Sequence, residues 1–325
     1  MVLLSVAVAL VSTVVYLLLL WWLDKYEKEP WGLFLAAFGY GCLPAILLAV
    51  VLELLLGIPL ELAFGSTSEA IGRVVVAPVV EEGVKGLALL LIFFLWRGEF
   101  NGLLDGIVYG AAVGFGFGMT ENVLYFIELH GEAMVVLLRT LPFGLNHALY
   151  TACTGAALGL ARQSRARGRW ILLFPIGLLA AMSFHGFHNL GVGLGCPGVV
   201  AALAGDWAGI ATILVVAMLS WRQERRWIQQ ELGEEVAAGI LAEADLLTLQ
   251  AATRRLSARV WMWRNHGWKA FRLLGRFFEA ATELAFRKQE LRQGTGTKRT
   301  AEEVQTLRKR VLELRGALLR ILEGP

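Results

Sequence analysis

Along the first two thirds of the chain, apolar residues come in long blocks rather than on one face of amphipathic helices. Seven blocks are long enough to cross a bilayer as a helix: 2–23, 31–56, 71–96, 104–127, 134–161, 170–193 and 199–221. The pattern predicts an all-α protein, a polytopic membrane bundle of about seven transmembrane helices over residues 1–221. No basic stretch precedes block 2–23 and no small-residue cleavage site follows it, so it reads as a retained anchor. After Trp221 the pattern changes to that of water-exposed helices, expected at about 224–293 and 300–323, with Gly294-Thr295-Gly296-Thr297 as a linker.

Two features of this tail, 222–325, carry information. Val304, Leu307, Val311, Leu314, Leu318 and Ile321 follow a 3-4-3-4-3 spacing, an apolar seam that either closes a helical hairpin or pairs two copies of the chain. Gly316 weakens that helix. Trp261, Trp263, Trp268, Phe271, Leu274, Phe278 and Leu284 sit among basic positions, and some of these aromatics suit a membrane surface.

Composition agrees with the block pattern. The 325 residues are 57% hydrophobic, with mean hydropathy +0.60. The net charge of +3 hides a division. Residues 1–221 hold 10 Lys+Arg against 14 Asp+Glu, and the tail holds 20 against 13. A basic tail beside a membrane domain fits a face near anionic lipid better than nucleic-acid binding. Cys42, Cys153 and Cys196 form no CxxC pair, which argues against a disulfide framework or a structural zinc site.

The connections sort by charge. Lys25, Lys28, Arg97, the run Arg162, Arg165, Arg167 and Arg169, then Arg222, Arg225 and Arg226 fall on alternate connections. Glu61, Glu69, Glu128, Glu132 and Asp206 mark the opposite side. The positive-inside rule then sets the N-terminus outside and the C-terminus in the cytoplasm, for a multi-pass protein expected in the cell inner or plasma membrane. Gly106, Gly110 and Gly114 recur every four residues, the small-xxx-small spacing that lets helix backbones approach. A phosphate loop is a poor reading of that run, because no strand precedes it. The absence of a repeat between the two halves disfavours an inverted-repeat transporter.

Against this apolar background, four blocks carry polar groups that are costly in lipid. The third holds Glu81, Glu82 and Lys85, the fourth Glu121 and Asn122, the fifth Asn146 and His147, and the sixth His185, His188 and Asn189. Counted from the outer end of each helix, Glu81, Glu121, His147 and His185 fall in one layer roughly 10–18 Å deep. Lys85 reaches Glu81 at i,i+4 and Glu82 at i,i+3, while His185 and Asn189 share a face at i,i+4. A single buried polar site accounts for this arrangement.

Carboxylate and imidazole together suit two chemistries. A glutamate activates water while His and Asn steady the oxyanion, or Glu and two His hold Zn²⁺ and lower the pKa of its water. The HExxH helix is absent, so spacing alone does not specify a metal. The bland reading is an ion pair locking helices, with His147 and His185 as satisfied core histidines and His188 as helix packing. His130 and His266 lie outside the blocks and read as surface residues.

Glu81-Glu82-Gly83-Val84-Lys85 resembles the EExxK motif of the PrsW intramembrane proteases, and Phe117-Gly118-Met119-Thr120-Glu121 their FxxxE motif. His185-Gly186-Phe187-His188-Asn189 resembles the HxxxN motif of the wider group, which includes the CAAX prenyl proteases. The resemblance covers roughly residues 20–195 and leaves the tail without an inherited role. It implies an intramembrane metalloprotease that cleaves a membrane-anchored protein, the family's name-giving member making the first cut in an anti-sigma factor. By motif it implies Glu81 and Glu82 as the catalytic carboxylate and its neighbour, with Lys85 as their partner. Glu121, His147 and His185 become candidate ligands of a metal, Zn among them, and Asn189 an oxyanion donor. The prenyl proteases carry His where this chain has Glu121.

Two readings from other classes stay open on the residues alone. In a proton-coupled transporter, Glu81, Glu121 and the histidines form a relay. In a non-catalytic scaffold, the tail binds a cytoplasmic partner or self-associates and the polar site is idle. The relay has no use for the Asn189 spacing, and this favours the peptidase. Its site would open toward the outer leaflet, where a substrate helix unwinds in contact with the bilayer.

Overall fold

A computed structural model describes residues 1–166 and 168–323, and Arg167 of the arginine run lies outside the described residues. Among these the secondary structure is helical throughout, as a membrane bundle requires. In order the helices are α1 Val2–Leu23, α2 Trp31–Tyr40, α3 Ile46–Phe64, α4 Ser68–Ile71, α5 Ala77–Leu95, α6 Leu103–Glu128, α7 Ala133–Thr140, α8 Asn146–Arg162, α9 Trp170–Gly193, α10 Cys196–Ala237, α11 Glu243–Leu249, α12 Ala252–Gln293 and α13 Lys298–Glu323. Among the described residues, five helical runs are long and apolar enough to cross a membrane: Val2–Leu23, Trp31–Leu95, Leu103–Glu128, Trp170–Gly193 and Cys196–Ala237. The second is broken at Gly65, whose φ of 56° turns the chain between α3 and α4.

The block 134–161, expected as one span, is two helices, α7 and α8, separated by residues 141–145. Pro142 supplies no N–H to continue α7 and disfavours a helical Leu141. Apolar content alone could not reveal that break.

Contacts divide the chain into two compact units, Met1–Asp24 with Glu29–Ala217, and Lys25–Lys28 with the chain from Met218 onward. In the first unit α6 is the central helix. Its glycines face α8 so closely that a Cβ on Gly106 would lie 2.0 Å from the Gly155 carbonyl. One on Gly110 would lie 2.6 Å from that of Thr151, and one on Gly114 2.2 Å from that of His147. The small-xxx-small row therefore brings α6 and α8 to backbone contact and fixes the height of His147. Asp105 starts α6 by accepting the N–H groups of Asn101 at 2.8 Å and Gly102 at 2.7 Å.

Two π-helical turns, Gly41–Ala45 and Gly72–Val76, interrupt the apolar helices. Each lies at or just before a proline, Pro44 inside the first and Pro78 after the second, where a missing N–H forces the register to widen. The second turn leads directly into the segment bearing Glu81, Glu82 and Lys85.

In the second unit, Val304, Leu307, Val311, Leu314 and Leu318 are buried in a core with Phe277, Phe278, Leu284 and Leu232, and Ile321 packs at its margin. The seam of α13 is thus covered within its own unit, largely by α12. The region expected as one helical stretch, 224–293, comprises the end of α10, α11 and α12, and α12 itself bends at Gly267 (φ 80°, ψ −177°). The linker 294–297 begins with Gly294 in the left-handed conformation, closing α12.

Candidate active site

The site grows from one turn of α5. Glu81, Glu82 and Lys85 are all buried, and Lys85 Nζ donates to Glu81 Oε2 at 3.0 Å and Glu82 Oε1 at 2.8 Å. Nζ also lies 3.1 Å from Nδ1 of His147 on α8, and 3.7 Å above the Phe117 ring. An ammonium has only hydrogens to give, so three donations and a ring face satisfy it without water.

The two glutamates differ in what surrounds them. Glu82 has a fully buried side chain and accepts from Lys85, from Thr151 Oγ1 at 3.2 Å and from His185 Nδ1 at 3.1 Å. Glu81 is 10% exposed, with Oε2 4.0 Å from His185 Nε2. It lines a cavity of about 720 Å³ shared with Glu121, His147, Tyr150, His185 and Asn189. One carboxylate is enclosed and the other faces open space.

Glu121 stands behind His147. Its Oε2 is 2.7 Å from His147 Nε2 and 2.6 Å from an Arg139 guanidinium nitrogen, and Arg139 Nε donates to Asn122 Oδ1 at 2.7 Å. A carboxylate on the far nitrogen of an imidazole fixes its tautomer and aim.

Asn189 sits apart from the carboxylates. In the π register of Gly72–Val76 the Arg73 carbonyl looks to residue 78, a proline with no N–H, and Asn189 Nδ2 donates to it at 2.9 Å. This bond ties α9 to the start of α5 one turn from His185. A Cβ on Gly186 would lie 2.7 Å from the Val74 carbonyl, so the two segments touch there.

The structure therefore brings together Glu81, Glu82, Lys85, His147 and His185, joins Glu121 to them through His147, and leaves Asn189 on the cavity wall. Glu81, Glu82, His147 and His185 each offer a ligand atom, all within 4.8 Å of one another. Carboxylate oxygens and imidazole nitrogens brought this close form a donor set that could hold a metal ion. Lys85 Nζ touches three of those four side chains, so its cation shares their donor atoms.

Several participants were missed in the sequence. Arg139 and Asp206 each interrupt an apolar block, which is itself a flag for intramembrane function. Asp206, whose charge in the sequence marks an outer connection, instead lies buried within α10, bonded to Asn146 and His188. Thr151 and Tyr150 carried no signal, because hydroxyls are common in apolar helices.

Comparison with known proteins decides the identity. Residues 29–222 match the model of the PrsW family intramembrane metalloprotease. The chain belongs to that family. Protease PrsW of Geobacillus kaustophilus (strain HTA426) is 32% identical over 172 residues, 51% of this chain and 69% of the relative. Protease PrsW of Bacillus subtilis (strain 168) is 31% identical over 171 residues, 51% and 72% of the two chains. Protease PrsW of Clostridioides difficile (strain 630) is 32% identical over 128 residues, 39% and 49%. No solved structure matches the chain.

Membership makes this chain an intramembrane endopeptidase of a metalloprotease family, built as a multi-pass helical membrane protein. The transporter and scaffold readings give way to it. The PrsW match ends at residue 222, so the second unit lies almost wholly beyond it.

Proposed function

We propose that Glu81 is the general base of a peptidase that cuts a membrane-anchored protein within or beside its transmembrane segment. The observation that carries this reading is the unequal environment of the two glutamates. Glu82 spends its oxygens on Lys85, Thr151 and His185, whereas Glu81 turns to the cavity. A base must reach the water it deprotonates, and a carboxylate enclosed by protein donors cannot.

Glu82 then holds His185 and Lys85 in place, and Glu121 holds His147. Asn189 has given one amide hydrogen to Arg73, and its second is the candidate donor to the oxyanion. The substrate helix must unwind locally before attack, since its peptide carbonyls are already hydrogen-bonded. An anti-sigma factor with a single span is one substrate of this class.

The donor set fits a metal, which His147, His185 and one of the two α5 glutamates would hold in competition with Lys85 for their donor atoms. When bound, zinc there would polarise the scissile carbonyl and acidify its water. The charges of the connections favour an N-terminus outside and a cytoplasmic C-terminal unit, residues 1–221 being the peptidase domain and 222–325 the tail.

Purified chain in liposomes, offered a panel of single-span fusion substrates with products sized by mass spectrometry, tests the reading. Wild type should cut, Glu81→Gln and His185→Ala should not, and a chelator should stop the wild type. Cleavage that survives Glu81→Gln would remove the base from this proposal, and indifference to chelator would remove the metal.

A further inference from the structure

The second unit contains a stretch unlike the rest of the chain. Residues 246–278 hold seven arginines and lysines and no aspartate or glutamate. Gly267 breaks α12 inside this stretch. Arg259 on the near arm lies 4.2 Å over the Phe271 ring on the far arm and packs beside Gly275. The arms therefore fold back on each other, and residues 261–269 form the tip of the bend.

Three tryptophans crowd that tip, Trp261 at 52%, Trp263 at 53% and Trp268 at 59% exposure. Their neighbours Met262 and Ala270 point into the core, whereas these rings stay outside it, Trp268 stacked on Phe271 at 4.8 Å and Trp261 5.4 Å from His266. Arg264 and Lys269 are exposed beside them. Tryptophan rings prefer the headgroup level of a bilayer, and lysine and arginine are drawn to anionic lipid within a Debye length. Leu256, 63% exposed on the near arm, adds aliphatic surface that a stacked nucleic-acid base would not use. The chain is also anchored in a membrane, which makes the encounter with lipid intramolecular.

We propose that the tip 261–269 docks on the headgroups of an anionic phospholipid bilayer, its tryptophans in the interface and its acid-free arms over the phosphates. The second unit is on this reading a lipid-charge sensor attached to the protease.

Hydrogen–deuterium exchange on the full-length chain tests it, in nanodiscs of phosphatidylcholine alone, in nanodiscs with added phosphatidylglycerol, and in neutral detergent micelles. Amides across 254–276 should exchange about tenfold more slowly in the anionic discs than in the neutral ones, with the difference shrinking at high salt. The triple variant Arg264→Glu, Lys269→Glu, Arg272→Glu should lose that difference while helix Lys298–Glu323 keeps its protection, showing that the unit is folded. Trp263→Ser with Trp268→Ser, which leaves every charge in place, should lose it as well. Equal exchange of the wild type in both discs would overturn the proposal without reference to any variant. Protection produced in micelles by single-stranded RNA, and not by phosphatidylglycerol discs, would assign the surface to nucleic acid instead.

Discussion

Lys85 Nζ lies 3.1 Å from Nδ1 of His147, 62 residues away in sequence. Because an ammonium only donates, Nδ1 is the accepting nitrogen and the ring hydrogen sits on Nε2, where it meets Glu121 Oε2 at 2.7 Å. A single tautomer of His147 is thereby written into three helices.

The same ammonium shares donors with any metal in the site, so Lys85→Met separates two effects. Without metal, Glu81 and Glu82 lose their buried partner, and stability should fall by about 3–5 kcal/mol. With metal, the cation's competitor is gone, and Co²⁺ affinity read by its visible absorption should rise about tenfold or more. A variant with unchanged metal affinity would show that Lys85 and the metal do not contend for the same atoms.

Glu81→Gln and Glu82→Gln are chemically identical changes with different expected consequences. Glu81→Gln should lower kcat about 10²–10⁴-fold while thermal unfolding in detergent stays near that of wild type, because it faces the cavity and the amide oxygen can still accept from Lys85. Glu82→Gln should lose both activity and several degrees of melting temperature, since its amide turns hydrogens toward Lys85, Thr151 or His185. If the stability loss falls on Glu81 instead, the roles of the two are exchanged.

Gly114 and Gly106 probe the α6–α8 contact at two heights. At either position a methyl group meets a carbonyl oxygen at about 2 Å, at Gly114 the carbonyl of His147 itself. Gly106→Ala should cost about 1–3 kcal/mol or more by forcing the helices apart, with activity following the folded fraction. Gly114→Ala should lose activity beyond its loss of folded protein, because the backbone it displaces carries the imidazole. Cleavage rates normalised to folded protein, from size-exclusion profiles, distinguish the two.

The parts of the site that the sequence disclosed share one property. Glu81, Glu82, Lys85, Glu121, His147 and His185 are expensive in lipid, so each stands out against an apolar block, and the glycine spacing of α6 is a local pattern. What stayed hidden depends on partners distant in sequence. The difference between Glu81 and Glu82 is set by Thr151 and His185, and the engagement of Asn189 by a carbonyl that Pro78 leaves over. The break between α7 and α8 was masked by continuous hydropathy, and the bend at Gly267 by good helix formers on both sides.

Asp206 carries the last prediction. Its side chain is completely buried in α10 and receives Asn146 Nδ2 at 2.9 Å, His188 Nδ1 at 2.8 Å and the Tyr150 hydroxyl at 3.3 Å. Tyr150 in turn lies flat on His185, ring centres 5.0 Å apart at 18°, and Asn146 is the chain neighbour of His147. Asp206 touches neither histidine of the site, yet it anchors the residues that flank both. Asp206→Leu strips an acceptor from three donors and should be poorly folded, since leaving several buried polar groups unsatisfied costs about 1–3 kcal/mol each. Asp206→Asn keeps the shape but sets an amide against the Asn146 amide, and should fold. Its kcat should fall about tenfold with KM little changed, because a misaimed His185 impairs the transition state and not the binding of the substrate helix. Wild-type kcat in Asp206→Asn, measured on the same fusion substrate in liposomes, would detach this node from the chemistry and leave it a helix clamp.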